Sequence, residues 1–166
     1  MLGRFEIVRE VGRGGSGIVY EARDRLLGAT IALKRMVGPR PEATARLRRT
    51  VRGTSSLYQR NLVALGEIVK GREDWYLTME LVEGVDLLRW VRGDRGPGGA
   101  PEVARLRSAL TQTAEALMAL HGTGIVHRDV KPSNVIATRE GRLVLVDLGL
   151  ARELGPPLVL APSGSI

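Results

Sequence analysis

The sequence predicts an α+β fold: a five-stranded antiparallel sheet with one helix, followed by a mainly helical region. Three observations carry this reading. Short strand-like runs broken by glycines fill Phe5 to Leu33 and resume over Leu62 to Val69 and Trp75 to Leu81. One helical stretch, Pro41 to about Leu57, interrupts them. After Glu83-Gly84 the pattern changes, and the longest periodic run, from about Glu102 to His121, is helical.

Each element has a local cause. Ile18-Val19-Tyr20-Glu21-Ala22 and Thr30-Ile31-Ala32-Leu33-Lys34 are rich in β-formers and bounded by glycines, which predicts an antiparallel meander. Pro41-Glu42 suits a helix N-terminus, and the helix it opens is Arg-rich. Gly71-Arg72-Glu73-Asp74 is a polar turn between the last two strands. Asp86 to Val91 forms a short helical piece, and Gly96-Pro97-Gly98-Gly99 a break. Leu106, Leu110, Ala114 and Leu117 recur at helical spacing, so this face of the long helix is expected to pack. Val135-Ile136-Ala137 and Leu143 to Val146 flank Arg139-Glu140-Gly141-Arg142 as a hairpin, and Gly155-Pro156-Pro157 opens a loose tail.

Composition narrows the function classes. The 166 residues carry a formal charge of +7, but 22 of the 25 basic residues are arginines, spread along the chain with one concentration at Arg46, Arg48, Arg49 and Arg52. Abundant Gly and Ala accompany them, as GC-rich codon usage produces, and aromatic residues are too few for base-stacking platforms. No nucleic-acid partner is therefore expected. Cysteine is absent and there are two histidines, which excludes disulfides and thiolate metal sites and argues against a His-rich one. No apolar run approaches the roughly 18 residues that a bilayer requires, so no membrane segment is expected, and a bacterial cytoplasm is the expected location.

Gly12-Arg13-Gly14-Gly15-Ser16-Gly17 matches a G-x-G-x-x-G loop, in which missing side chains let backbone N–H groups approach phosphate oxygens. Taken alone it fits a Gly-rich hairpin equally well. A dinucleotide-binding βαβ unit requires a helix straight after the glycines, and Ile18-Val19-Tyr20 is strand-like instead. Lys34 ends an apolar strand downstream, where it can reach bound phosphates or simply snorkel at an edge. The decisive stretch is His127-Arg128-Asp129-Val130-Lys131-Pro132-Ser133-Asn134, which sets an acid, a cation and an amide at offsets of two and five residues in a Pro-tightened loop. With Asp147-Leu148-Gly149 after it, the sequence resembles the eukaryotic-type serine/threonine protein kinase family, through H-R-D-x-K-P-x-N and a D-F-G-like segment. The resemblance runs from Phe5 to about Leu154.

The resemblance implies a protein-kinase-like fold, ATP and Mg²⁺ as cofactors, and a protein of unknown identity as substrate. Residues 1–82 would form the N-lobe, 83–154 part of a C-lobe, and 155–166 an irregular tail. It implies that Asp129 accepts the substrate hydroxyl proton, that Lys131 neutralises the transferred phosphoryl group, and that Asn134 and Asp147 hold the metal. Lys34, with Gly12, Gly14, Gly15 and Gly17, would hold the phosphates. Adenine would lie between Val19 and Ala32 on one side and Ile136 on the other, with backbone groups of Glu80 and Val82 on its edge after gatekeeper-like Met79, and Asp86 at the ribose.

Three departures qualify this. The strand lysine of kinases pairs with a helix glutamate, and anchoring on Gln59-Arg60-Asn61-Leu62-Val63 puts Thr50 at that position, so weaker ordering of Lys34 is expected. Leu148 replaces phenylalanine, a change that keeps most of the apolar area. A kinase continues through an activation loop, A-P-E and further helices, whereas the tail to Ile166 resembles none of these, so a truncated copy is expected. A partner would then have to cover Leu106, Leu110, Leu117 and Met118, and the chain would otherwise be marginally stable. The alternative to an active kinase is a pseudokinase-like ATP-binding or interaction remnant.

Overall fold

The computed structural model describes residues 3–15, 17–36, 41–96 and 98–153. Ser16 of the Gly-rich segment and the tail 155–166, with Ser163 and Ser165, lie outside the described residues. Five strands form the first sheet: β1 (Phe5–Gly14), β2 (Gly17–Asp24), β3 (Ala29–Met36), β4 (Leu65–Lys70) and β5 (Trp75–Met79). Helix α1 (Pro41–Thr54) separates β3 from β4. The strand order is β1-β2-β3-β5-β4 and every pairing is antiparallel, as the sequence predicts. β1 lies at one edge and its pairing with β2 shifts register twice, between Ile7 and Arg9 and between Glu10 and Gly12. Gly17 sits at φ +132°, and a Cβ there would stand 2.1 Å from the Arg35 carbonyl oxygen. Only glycine lets the chain turn into β2 this close to β3.

The second half contains β6 (Val85–Asp86), α2 (Leu87–Arg92), α3 (Val103–Gly122), β7 (Ile125–Val126), β8 (Val135–Ala137), β9 (Leu143–Leu145) and β10 (Arg152–Glu153). Asp86 caps α2: its carboxylate accepts the Arg89 N–H at 3.1 Å. The expected hairpin is β8–β9, with Val135 opposite Leu145, and β6 joins it on the β8 side. Gly84 passes so close to β8 that a Cβ would stand 2.1 Å from the Ala137 carbonyl oxygen. Segment 61–63 then joins the two halves: Leu145 donates its N–H to Asn61 O at 2.7 Å, and Val63 donates to Leu145 O at 3.0 Å. Asn61, only 1% exposed, also donates from Nδ2 to Leu143 O and to Gln112 Oε1 on α3, both at 2.7 Å.

The main core lies among α2, α3, β7 and the β8–β9 hairpin, with Leu62 and Val63 inserted, and a smaller cluster of Phe5, Ala22 and Leu33 belongs to the five-stranded sheet. The packed face of α3 corrects the sequence expectation. Ala109, Ala116 and Leu120 are buried, whereas Leu110 and Ala114 are exposed and Leu106 and Leu117 are half-buried. The small alanines let the helix backbone approach β7 and β9 closely, which turns the inward face by about one residue from the leucine stripe. Val103, Leu110 and Met118 remain exposed along the other side.

On this packing, Leu120→Ala should cost about 2–5 kcal/mol in denaturant unfolding, while Leu110→Ser should stay within about 0.5 kcal/mol. Arg4, through two hydrogen bonds at 2.7 and 2.5 Å, holds the Asp24 carboxyl down to about 2, helped by the N–H groups of Leu26 and Leu27 and opposed by burial. A carboxyl with a depressed folded value stabilises above its unfolded value and loses that contribution as pH falls through the folded one. The melting temperature should therefore drop as pH falls from about 4 toward 2, and Asp24→Asn should flatten that acid limb.

Candidate active site

Strand periodicity builds one wall of the site. In antiparallel pairs, directly opposed residues share a face, and side chains alternate along each strand. Val19 on β2 opposes Lys34 on β3, and Ala32 on β3 opposes Met79 on β5, so these four present to the same side. Lys34 is only 6% exposed, and its ammonium lies 2.5 Å from Asp147 Oδ1. A buried ammonium needs such a partner, because desolvating an uncompensated charge costs several kcal/mol.

The opposite wall comes from the loop between β7 and β8 and from the residues after β9. Pro132 opens a short 3₁₀ turn, Pro132–Asn134, that folds the Asn134 amide back over the loop. Its Nδ2 donates to the Asp129 carbonyl at 2.8 Å and to Asp129 Oδ2 at 3.0 Å. Lys131 Nζ donates to the same Oδ2 at 2.6 Å. These contacts, the lysine first, hold the Asp129 carboxyl below its ordinary value against burial and the nearby Asp147 charge. Asp129 is thus kept as the carboxylate, the form able to accept a proton.

His127 ties the loop to the segment just beyond β9. It is fully buried, accepts the Asp129 N–H on Nδ1 at 3.3 Å and bonds the Val146 carbonyl through Nε2 at 3.0 Å. A carbonyl can only accept, so Nε2 carries the proton. Burial depresses the His127 imidazole, which favours this neutral form. Val146 in turn donates its N–H to Asn134 O at 2.8 Å. Arg128 and Asp147 take left-handed backbone conformations, at φ +68° and +65°. Non-glycine residues adopt these at a cost of about 1–3 kcal/mol each, and here the surrounding bonds hold them. Asp147 is further fixed by the Gly149 N–H, which donates to Oδ1 at 3.2 Å.

Between the walls lies a cleft of about 640 Å³. It gathers nearly every residue singled out in the sequence: Gly12, Gly14, Gly15, Gly17, Val19, Ala32, Lys34, Glu80, Val82, Asp129, Lys131, Asn134, Ile136 and Asp147. Asp86 is not among the lining residues and instead caps α2. Thr50 is 2% exposed, and its hydroxyl donates to the Arg46 carbonyl of its own helix at 3.4 Å. Val11, Val63, Leu81, Ser133 and Val146 also line the cleft, and sequence reasoning missed them. Val11 was within reach, as the residue entering the Gly-rich turn, whereas Val63 arrives only through the docking of segment 61–63 on β9.

The donor set suits a hard cation. Asp147 offers a carboxylate and Asn134, its Nδ2 turned toward Asp129, presents its amide oxygen as the acceptor end. Among the described residues no cluster of three or more His, Cys, Asp or Glu side chains could hold a metal alone. Any cation here would need oxygens from another source, as phosphates provide.

The profile of the protein kinase domain matches residues 5–160. The chain belongs to the protein kinase family. Serine/threonine-protein kinase PknH of Mycobacterium bovis is 36% identical over 154 residues, covering 91% of this chain and 25% of the relative. A probable serine/threonine-protein kinase, pknA2, of Bifidobacterium longum is 33% identical over 156 residues, covering 90% and 20%. A putative cyclin-dependent kinase F-2 of Oryza sativa is 35% identical over 157 residues, covering 90% and 47%. The kinase chain thus spans about a fifth to a half of the length of these relatives.

His127→Phe keeps a planar aromatic ring, somewhat larger than imidazole, but removes both ring hydrogen bonds, leaving the Val146 carbonyl and the Asp129 N–H without that partner. It should cost about 1–3 kcal/mol, read as a shift in the urea midpoint at unchanged slope.

Proposed function

We propose that this domain transfers the γ-phosphoryl group of ATP to a serine or threonine hydroxyl of a protein. The observation that carries the reading is the single cleft in which Asp129, Lys131 and Asn134, hydrogen-bonded together, face Lys34 and Asp147. Asp129, ionised and oriented by Asn134, accepts the proton of the attacking hydroxyl and aligns its oxygen with the γ-phosphorus. Lys131 offsets negative charge developing on the phosphoryl oxygens. Lys34 is poised to exchange part of its contact with Asp147 for the α- and β-phosphates, and backbone N–H groups of the Gly-rich turn cover them. Mg²⁺, when bound by Asn134 and Asp147, supplies charge neutralisation on the phosphates.

The base is assigned to the apolar slot of Val19, Ala32 and Ile136. Glu80 spends its own N–H on the Ala64 carbonyl at 2.9 Å, so its carbonyl is the backbone group suited to the adenine amine, with the Val82 N–H beside it. The ribose role of Asp86 rests on the family resemblance, since its Oδ1 caps α2. On this reading residues 1–82 act as the N-lobe and 83–154 as part of the C-lobe. The exposed apolar side of α3, with Val103, Leu110 and Met118, is where a protein partner would lie. No described helix is long and apolar enough to cross a membrane, and the cytoplasm is the compartment we assign.

The test is transfer of labelled phosphate from ATP with Mg²⁺ to a generic protein substrate, with Asp129→Asn alongside. Transfer should fall by about 10²–10⁴-fold in the variant. Nucleotide-dependent stabilisation with no Asp129-dependent transfer would reduce the domain to an ATP-binding remnant, the reading that Thr50 in place of a helix carboxylate favours.

A further inference from the structure

Arg142 has no role in the assignments above, yet its guanidinium joins three segments that border the cleft from different parts of the chain. Its Nε donates to the Arg60 carbonyl at 2.7 Å, in the link between α1 and β4. Its Nη2 meets Glu80 Oε1 at 2.5 Å, just beyond β5. Its own residue precedes β9, which leads within four residues to Asp147. Neither side chain is fully exposed, at 31% for Arg142 and 27% for Glu80.

The second carboxylate oxygen of Glu80 is also engaged, accepting the Ala64 N–H at 3.4 Å, while the Glu80 N–H donates to the Ala64 carbonyl. Residue 80 is therefore gripped by side chain and backbone together. With its N–H and both carboxylate oxygens occupied, the remaining polar group of residue 80 is its peptide carbonyl, whose direction follows from how the residue is held. That carbonyl is the group the nucleotide reading places against the adenine amine.

We propose that Arg142 is a positioning residue for the adenine edge: by fixing Glu80 against β9, it sets the direction of the Glu80 carbonyl relative to the walls that hold the phosphates. The inference rests on the reading of the cleft as an ATP site. Arginine suits the task because its planar fork delivers one N–H to a carboxylate and another to a carbonyl at a fixed angle, which a lysine ammonium cannot do. The selectivity this confers is for a purine bearing a 6-amino donor over one bearing a 6-oxo acceptor.

The experiment compares the Kd values of ATP and ITP for the parent chain, Arg142→Met, Arg142→Lys, Glu80→Gln and the Arg142→Met/Glu80→Gln double variant. The parent should prefer ATP by about tenfold, the size of one good hydrogen bond. Arg142→Met and Glu80→Gln should each reduce the ratio several-fold by weakening ATP more than ITP, with a residual preference from the Val82 N–H, which N1 of adenine accepts and the protonated N1 of hypoxanthine does not. The double variant should be no worse than either single one, because both break the same contact. Arg142→Lys should recover part of the ratio. Equal weakening of both nucleotides in Arg142→Met, or additive losses in the double variant, would show a merely structural residue and overturn the proposal. A parent that binds neither nucleotide would overturn the ATP-site reading itself and this inference with it. Glu80→Gln keeps the volume and the backbone bond to Ala64, and its one amide oxygen can accept from Arg142 or from the Ala64 N–H but not from both, so it gives a folded comparison if Arg142→Met unfolds.

Discussion

The ion pair between buried Lys34 and half-buried Asp147 spans 113 residues of sequence and is the contact on which the two walls of the cleft meet. Neither partner is placed by its own neighbours alone. Lys34 points inward because β3 lies between β2 and β5 and its side chains alternate. Asp147 points toward it because the backbone there is left-handed, a conformation that costs energy and persists only where surrounding bonds over-determine it. Those bonds are the His127 and Val146 contacts, the Asn134 carbonyl and the Gly149 N–H. Strain in one residue is thus offset by a web that also carries the 127–134 loop.

Much of this was legible in the sequence because the informative residues are local. Gly-rich turn, strand lysine, the 127–134 loop and Asp147 each sit in a short motif whose spacing states its own geometry, and the structure brings them into one cleft. What was not legible depends on tertiary approach. The inward face of α3 is set by how closely its alanines allow β9 to come, which a count of leucines does not reveal. Val63 reaches the cleft because segment 61–63 bonds to β9, a pairing across more than eighty residues. Asp86 shows a competition of another kind, since the same carboxylate that suits a ribose also suits a helix N-cap.

Helix α1 stands apart from the rest of the packing. Its inward positions include Thr44, Thr50 and Thr54, all buried, around a single buried leucine, Leu47. Thr54 returns its hydroxyl to the Thr50 carbonyl at 2.9 Å and Thr50 its own to the Arg46 carbonyl at 3.4 Å, so these two satisfy the helix itself, while the buried Thr44 hydroxyl has no hydrogen-bond partner among the described residues. The stripe buries little apolar area, and the outward side carries the arginines Arg48, Arg49 and Arg52. One of these arginines ties the helix to the sheet, since the Arg48 guanidinium lies 4.9 Å from the centre of the Trp75 ring on β5.

The irregular pairing of β1 has a meaning outside this cleft. An edge strand offers a row of unpaired amides to any other strand that can lie flat against it. β1 is almost wholly exposed beyond Phe5 and carries Ile7, Val8 and Val11, the composition of a strand that would accept a neighbour. Its two register shifts bend the strand, and Glu6, Arg9, Glu10 and Arg13 interleave charge along it. The same kinks that shape the entry to the Gly-rich turn keep one copy of this sheet from extending into the next.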